Sequence, residues 1–377
     1  MSHPLQKSLL KWAISLGLGV LFIWVAGRNW PLGDVFHGSP LLAGRFFAMV
    51  PASLGAFAGP LDPDARARVV AAGGWTLDLL YLIPFVVLLC SVHFARVVRW
   101  DYLLRPIARF DFWELNRVAA VGFMAMFVFP FRLGELVRPY LLRERHKGTI
   151  RMTEGLAVIV VERLTDGLLV SLFLVAVLFR MPDTYVESYQ RVRYGAWVAL
   201  LVFVGGLVAL GLMFVVRQRL SAFFERFRLV TGTAAGRRFL SILKAFLDAL
   251  QVLPSIRYYL LFVAMTAVYW SLVGLGYNVL AAGFELPVPV LGSFAMMATS
   301  VVGMMIPNSP ANVGSFWVFL LLPLELYVGD RAFGTQAIAY ALVAWGVTVL
   351  QYLVFAGWFM LRGQVSMSSV AHAHVEE

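Results

Sequence analysis

Apolar residues in this chain come in long unbroken runs rather than in alternation. Six runs are long enough to cross the ~30 Å hydrocarbon core as helices, which takes about 20 residues: Leu9 to Gly27, Leu79 to Val98, Gly155 to Phe179, Gly195 to Val216, Tyr258 to Gly283 and Thr335 to Leu361. Two further regions hold shorter runs that stop at proline. Val118 to Phe131 is interrupted at Pro130, and Leu291 to Ile306 stops before Pro307 and is followed by Phe316 to Val328. Proline removes a backbone donor and ends a helix, and irregular backbone at membrane depth survives only inside protein or beside water. Both regions therefore read as re-entrant, broken helical hairpins, with two kinked full crossings as the alternative. The pattern predicts an all-α polytopic membrane protein with about six full crossings plus two hairpins. Broken helices in corresponding places of two halves point to an inverted repeat with a site near the midplane.

Composition agrees with this class. Of 377 residues, 60% are hydrophobic and 14% charged, and the mean hydropathy is +0.80, whereas soluble domains carry roughly 25% charged residues. The net charge is +10, nearly all of the cations are arginine, and the single cysteine, Cys90, excludes an internal disulfide. The six histidines are too scattered for a metal cluster, so no cofactor is expected. Nothing in the pattern suggests a nucleic-acid partner.

Basic residues collect on one side of the predicted crossings: Lys7 and Lys11, Arg96 to Arg117, Arg138 to Arg151, Arg217 to Lys244, and Arg362. By the positive-inside rule that side is cytoplasmic, with both termini there, in an inner membrane. The N-terminal run reads as an uncleaved first span rather than a signal peptide. Residues 1–361 then form a single integral-membrane domain and 362–377 a short cytoplasmic tail. Residues 31–76 form an external segment whose role the sequence does not reveal. Residues 217–254, with phenylalanines and leucines at helical spacing against Arg and Lys, suit cytoplasmic interfacial helices or a packed linker.

Ionised side chains at membrane depth are expensive and need a partner or a purpose. The first such cluster is Arg132, Gly134, Glu135 and Arg138, at the tip of the first hairpin; on a helix starting near Leu133, Glu135 and Arg138 are i,i+3 neighbours able to pair. The second is Glu162, Arg163 and Asp166 in the third crossing, where Glu162 and Asp166 share a face and need cations between them. Arg132 and Arg138 are the leading candidates for those cations, followed by Arg96 and Arg99. This network either locks the hairpin to the third crossing or opens to admit an anionic headgroup. In the second hairpin Asn308, Ser309, Asn312 and Ser315 offer uncharged donors and acceptors, and orphan N–H groups of half-helices there point at anions.

These residues, in this order, resemble the flippase-like transmembrane region of lysylphosphatidylglycerol synthases and related stand-alone membrane proteins. Arg99-Trp100 with Leu103-Leu104, Arg132 with Gly134, Glu135 and Arg138, and Glu162-Arg163 with Asp166 carry the resemblance, along with Pro307, Ser309, Pro310 and Gly314. Ala311, Asn312 and Trp317 stand where the family pattern has two glycines and a glutamate. The lipid-synthesising members carry a soluble aminoacyl-transfer domain; this chain ends at Glu377, so the resemblance implies the translocation half. It implies lipid movement through a cavity between two hairpin-bearing halves, with a membrane lipid as substrate and a lipid-synthesising enzyme or a second copy as partner.

No Gly-x-x-x-x-Gly-Lys-Ser/Thr loop is present, so P-loop nucleotide hydrolysis is excluded. Transport would run downhill, by protons through Glu135, Glu162 or Asp166, or with a partner. The alternative is an integral-membrane lipid-modifying enzyme that grips a phosphate with the Arg–carboxylate cluster, although no nucleophile–base constellation is evident. A non-catalytic scaffold has no need of buried charge.

Overall fold

The computed structural model describes residues 30–55, 57, 59–129, 134–146, 149–179, 256–305, 310–328 and 334–363, with scattered helical positions in 17–24 and 194–215. The predicted interfacial helices of 217–254 and nearly all of the 362–377 tail lie outside the described residues.

Most of the described chain is helical. Among the described residues three segments are long and apolar enough to cross a membrane: Leu79–Leu104, Ile256–Gly283 and Thr335–Leu361. The first contains α2 (Leu82–Leu104), with Pro84 in its first turn, where a missing N–H costs little. A fourth long helix, α5 (Met152–Leu178), has 27 residues, about 40 Å at 1.5 Å each. It departs from an all-apolar crossing because Glu162, Arg163 and Asp166 lie along it.

The hairpin regions adopt the broken form that their prolines predict. Helix α3 (Phe112–Val128) starts on Asp111, whose carboxylate accepts the N–H groups of Trp113 (2.9 Å) and Glu114 (3.2 Å). At 17 residues it extends about 26 Å, short of a full crossing. Phe129, which precedes Pro130, is extended at φ −84 and ψ 136, as the proline ring demands of its predecessor. The chain returns through a 3₁₀ turn at Gly134 into α4 (Val137–Arg145). The return is complete: His146 Nε2 lies 2.9 Å from Glu114 at the start of α3, and the His146 ring sits 5.0 Å from Phe110. The two ends of this segment thus lie side by side.

The second region follows the same plan. Helix α7 (Val290–Met305) descends, and the return runs through α8 (Ser315–Leu321), a 3₁₀ turn at Leu322–Leu324 and a last helical turn, Glu325–Val328. Tyr327 at its end rests on Gly292 at its beginning, and Thr299 Oγ donates across the legs to the Phe319 carbonyl at 2.7 Å.

Packing among these elements is reciprocal. Among the described residues, helices α2 and α6 (Ile256–Gly283), each preceding a hairpin, form the most extensive helix pair. Helix α3 of the first hairpin packs on α9 (Thr335–Leu361), which follows the second hairpin, while α7 of the second packs on α5, which follows the first.

The expectation of an all-α chain fails outside the membrane helices. Strands β1 (Ser39–Ala43), β2 (Phe46–Val50) and β3 (Trp75–Asp78) form an antiparallel sheet in the order β1-β2-β3, with Gly44 at φ 59 in the tight β1–β2 turn. Helix α1 (Pro63–Ala71), capped by Asp62 and opened by Pro63, packs Ala65 and Val69 on Ala48 and Val50. Short, mostly apolar runs such as Phe46–Val50, ended by Pro51, are too short for a helix to bury and long enough for a strand. Gln336 at the start of α9 fastens this sheet to the helices: its amide accepts from Thr76 N (2.9 Å) and donates to the carbonyls of Thr76 (2.9 Å) and Phe284 (2.6 Å).

Candidate functional site: a buried arginine–carboxylate network

Four elements bring ionised groups together where membrane helices meet. From α2, Arg99 reaches both acids of α5: it donates to Glu162 at 2.7 Å and grips Asp166 with both terminal nitrogens, one of them at 3.0 Å. From α4, Arg138 donates to the other oxygen of Glu162 at 2.9 Å. Arg163 lies 3.3 Å from Glu162, 3.4 Å from Asp166 and 3.6 Å from Glu135. Arg99, Arg138, Glu162 and Asp166 are each 1% exposed. Two carboxylates one helical turn apart repel each other, and the planar fork of Arg99 spans both of them.

Aromatic rings complete the shell. The Arg138 guanidinium lies 5.3 Å from the rings of Trp100 and Phe123, and that of Arg99 lies 4.5 Å from Tyr269. Trp270 Nε1 donates to Asp166 at 3.2 Å, and the Thr266 hydroxyl stands 3.4 Å from Arg99. Arg96, one turn before Arg99 on α2, donates to the Tyr352 hydroxyl at 2.9 Å and stacks 3.6 Å over Phe123.

A cavity of about 110 Å³ opens beside this network. Arg96, Arg163 and Asp166 form its polar end, Met126 and Phe127 enter from the first hairpin, and Val301, Met304, Asn312 and Phe316 from the second. Most of its remaining wall is apolar, supplied by α2, α6 and α9. A pocket with a charged end and hydrocarbon walls matches an amphipathic ligand.

The predicted residues divide clearly. Arg138, Glu162, Arg163, Asp166 and Glu135 converge as their spacing suggested, but the pairing differs. Glu135 sits in a 3₁₀ turn, ahead of the α-helix that begins at Val137, so it is not one helical turn from Arg138; it approaches Arg163, and Arg138 reaches Glu162. Arg99, ranked behind Arg132 and Arg138 on sequence, is the central clamp. Arg132, Asn308 and Ser309 lie outside the described residues. Gly134 is where the two legs of the first hairpin touch, since a Cβ there would meet the Ala125 backbone. Asn312 lines the cavity at φ 54, and Gly314 precedes α8 at φ 81. Ser315 donates to the Asn312 carbonyl at 3.2 Å and so caps the break.

Thr266, Tyr269, Trp270 and Tyr352 were not anticipated. Phe262, Thr266 and Trp270 recur at helical spacing along α6, a stripe that in a sequence looks like ordinary lipid-facing or core aromatics. Trp317, at the position where a glutamate was expected, is buried and packs edge-on against Trp345 at 5.6 Å.

Fold and site together define a mostly helical membrane protein whose helices enclose a buried ionic network. The model of the lysylphosphatidylglycerol synthase transmembrane region matches residues 42–356, and the chain belongs to that family. The comparisons with curated proteins and with solved structures found no match.

Proposed function

We propose that this protein moves a lipid with an anionic or phosphate-bearing headgroup between membrane leaflets. The supporting observation is the cavity, with Arg96 and Arg163 at one end, apolar walls, and a contribution from each hairpin. A headgroup held there is shielded from hydrocarbon while its chains keep apolar contact. The reciprocal packing of α3 on α9 and α7 on α5 supports an inverted-repeat origin. The positive-inside distribution supports an inner-membrane location with cytoplasmic termini. Glu135, Glu162 and Asp166 are the groups through which a proton gradient would act.

Reconstitution tests this reading. Vesicles holding the purified protein and a fluorescent phosphatidylglycerol should exchange it between leaflets within minutes, measured as the fraction accessible to an impermeant quencher, with no new lipid species formed. Protein-free rates would reject translocation. A new lipid species would establish the enzymatic reading instead.

A further inference from the structure

The three-stranded sheet has a fixed height and a fixed facing relative to the membrane helices. Strand β3 runs directly into the Leu79–Leu104 crossing, and Leu79 N donates to the Arg45 carbonyl at 2.9 Å. Phe46 pairs with Asp78, so Gly44 and Arg45 of the β1–β2 turn lie at the membrane end of the sheet, level with the start of that crossing. One face of the sheet, with Ala48 and Val50, packs under α1; the other, with Phe47, Met49, Trp75 and Leu77, joins Phe284 in the core of the helices. Leu42 pairs with Phe47 and Pro40 with Met49, so by strand alternation both belong to the face that rests on the helices. Strand β1 is the edge, and there the support ends: Phe47 is half-buried, Pro40 is exposed and Leu42 is 66% exposed. Leu80 and Ile83, the first exposed apolar side chains of the crossing, follow directly below the turn. Edge strands in water are guarded by charge, yet β1 (Ser39–Ala43) carries none. The charge next to it is Arg45 in the turn, which meets Asp78 through Nε at 3.1 Å and keeps 56% of its side chain exposed.

We infer that the β1–β2 turn is a membrane-surface contact: Leu42 enters the headgroup–acyl boundary of the leaflet beside the start of α2, and Arg45 meets phospholipid phosphate there. The overhanging face looks toward the bilayer because its other half stands on the membrane helices, and the surface is continuous with the lipid-facing start of the crossing. An apolar side chain below and a guanidinium at the rim suit that boundary. The depth is limited, because the outer backbone groups of an edge strand need the water and headgroups that hydrocarbon lacks. The partner is the bilayer itself, so this inference is independent of lipid translocation and of the buried ionic network.

The test uses the full-length protein carrying Cys90→Ala, in vesicles of phosphatidylcholine and phosphatidylglycerol. Leu42→Cys, Ile83→Cys and Ser53→Cys are each labelled with a small fluorophore; Ser53 is exposed beyond the far end of β2 and serves as the water reference. Quenching is measured with a spin-labelled phospholipid and with aqueous iodide, and melting temperatures verify that each labelled protein is folded. The lipid quencher should act on position 42 about threefold more strongly than on position 53 and about as strongly as on position 83, with iodide in the opposite order. Arg45→Gln should reduce lipid quenching at position 42 by about twofold, and Arg45→Lys should retain it. Iodide quenching at position 42 equal to that at position 53 overturns the inference. Protection from both quenchers would place protein over Leu42, from the first predicted crossing or a second copy, and overturns it too. A role for Arg45 confined to its pair with Asp78 would lower the melting temperature of Arg45→Gln and leave quenching unchanged, which overturns the phosphate contact.

Discussion

The two hairpins share a backbone plan and use opposite chemistry to hold it. The first, from Asp111 to His146, carries Glu135 and Arg138 into the protein and ties them to Arg163 and Glu162 on the following helix. The second has no Asp, Glu, Lys or Arg between Val290 and Leu324. It is held by neutral bonds: Thr299 to the Phe319 carbonyl at 2.7 Å, Trp345 Nε1 to the Ala311 carbonyl at 2.8 Å, and ring contacts at Trp317. A typical neutral hydrogen bond contributes about 1 kcal/mol, whereas stripping one partner from a buried ion pair costs about 3–5 kcal/mol. The second hairpin is therefore the cheaper one to move, and the first is the fixed wall of the cavity.

The largest expected effect comes from Glu162→Ala. It removes the carboxylate that bridges Arg99 and Arg138 and leaves buried cations facing one another. Thermal unfolding in detergent should show a loss of about 3–5 kcal/mol. Thr299→Val, which cuts a neutral tie of the second hairpin, should cost about 1 kcal/mol. Equal losses in the two variants would abolish the distinction between a fixed and a yielding hairpin.

Glycine contacts sharpen the same contrast on a smaller scale. A Cβ at Gly134 would meet the Ala125 backbone, which has no rotamer to change, while one at Gly303 would meet the Phe319 side chain down to its Cβ, so that the α8 leg must shift as well as the ring. Overpacking costs about 1–3 kcal/mol, so both variants should fall in the upper part of that range, with Gly134→Ala the costlier. Melting temperatures of the two purified variants decide the order, and a larger loss at Gly303 would mean that the second hairpin is the more tightly packed.

Where the sequence was informative, run length and proline carried the information. The run from Thr335 to Leu361 became a helix with those bounds, and Pro130 and Pro307 marked both breaks. The acids on α5 were recognisable as an unpaired couple because i,i+4 spacing is a local property. Their partners were not. Arg99 is 63 and 67 residues from the acids it holds, and Trp270 is 104 residues from Asp166; separations of that size carry no periodic signal. The external sheet escaped notice for a related reason. Its strands are four or five residues long, and their pairing depends on Gly44 and on Gln336, which is 260 residues from Thr76.

The smallest effect concerns the backbone of the second break. Ala311 and Asn312 adopt left-handed conformations, at φ 57 and φ 54, at the two positions where the family pattern has glycines. An L-residue with a Cβ pays about 1–2 kcal/mol for that conformation, less for asparagine, and glycine adopts it freely but loses more entropy on folding. Ala311→Gly should therefore stabilise the folded protein by a net of up to about 1 kcal/mol, seen as a rise of a few degrees in melting temperature. Ala311→Val should lower it, because a β-branched side chain fits this region worst. The same comparison made on leaflet exchange separates two uses of the strain. If Ala311→Gly is stabilised and exchanges lipid at an unchanged rate, the strain is incidental. If stabilisation slows exchange, the left-handed turn is the spring that makes the second hairpin the yielding one.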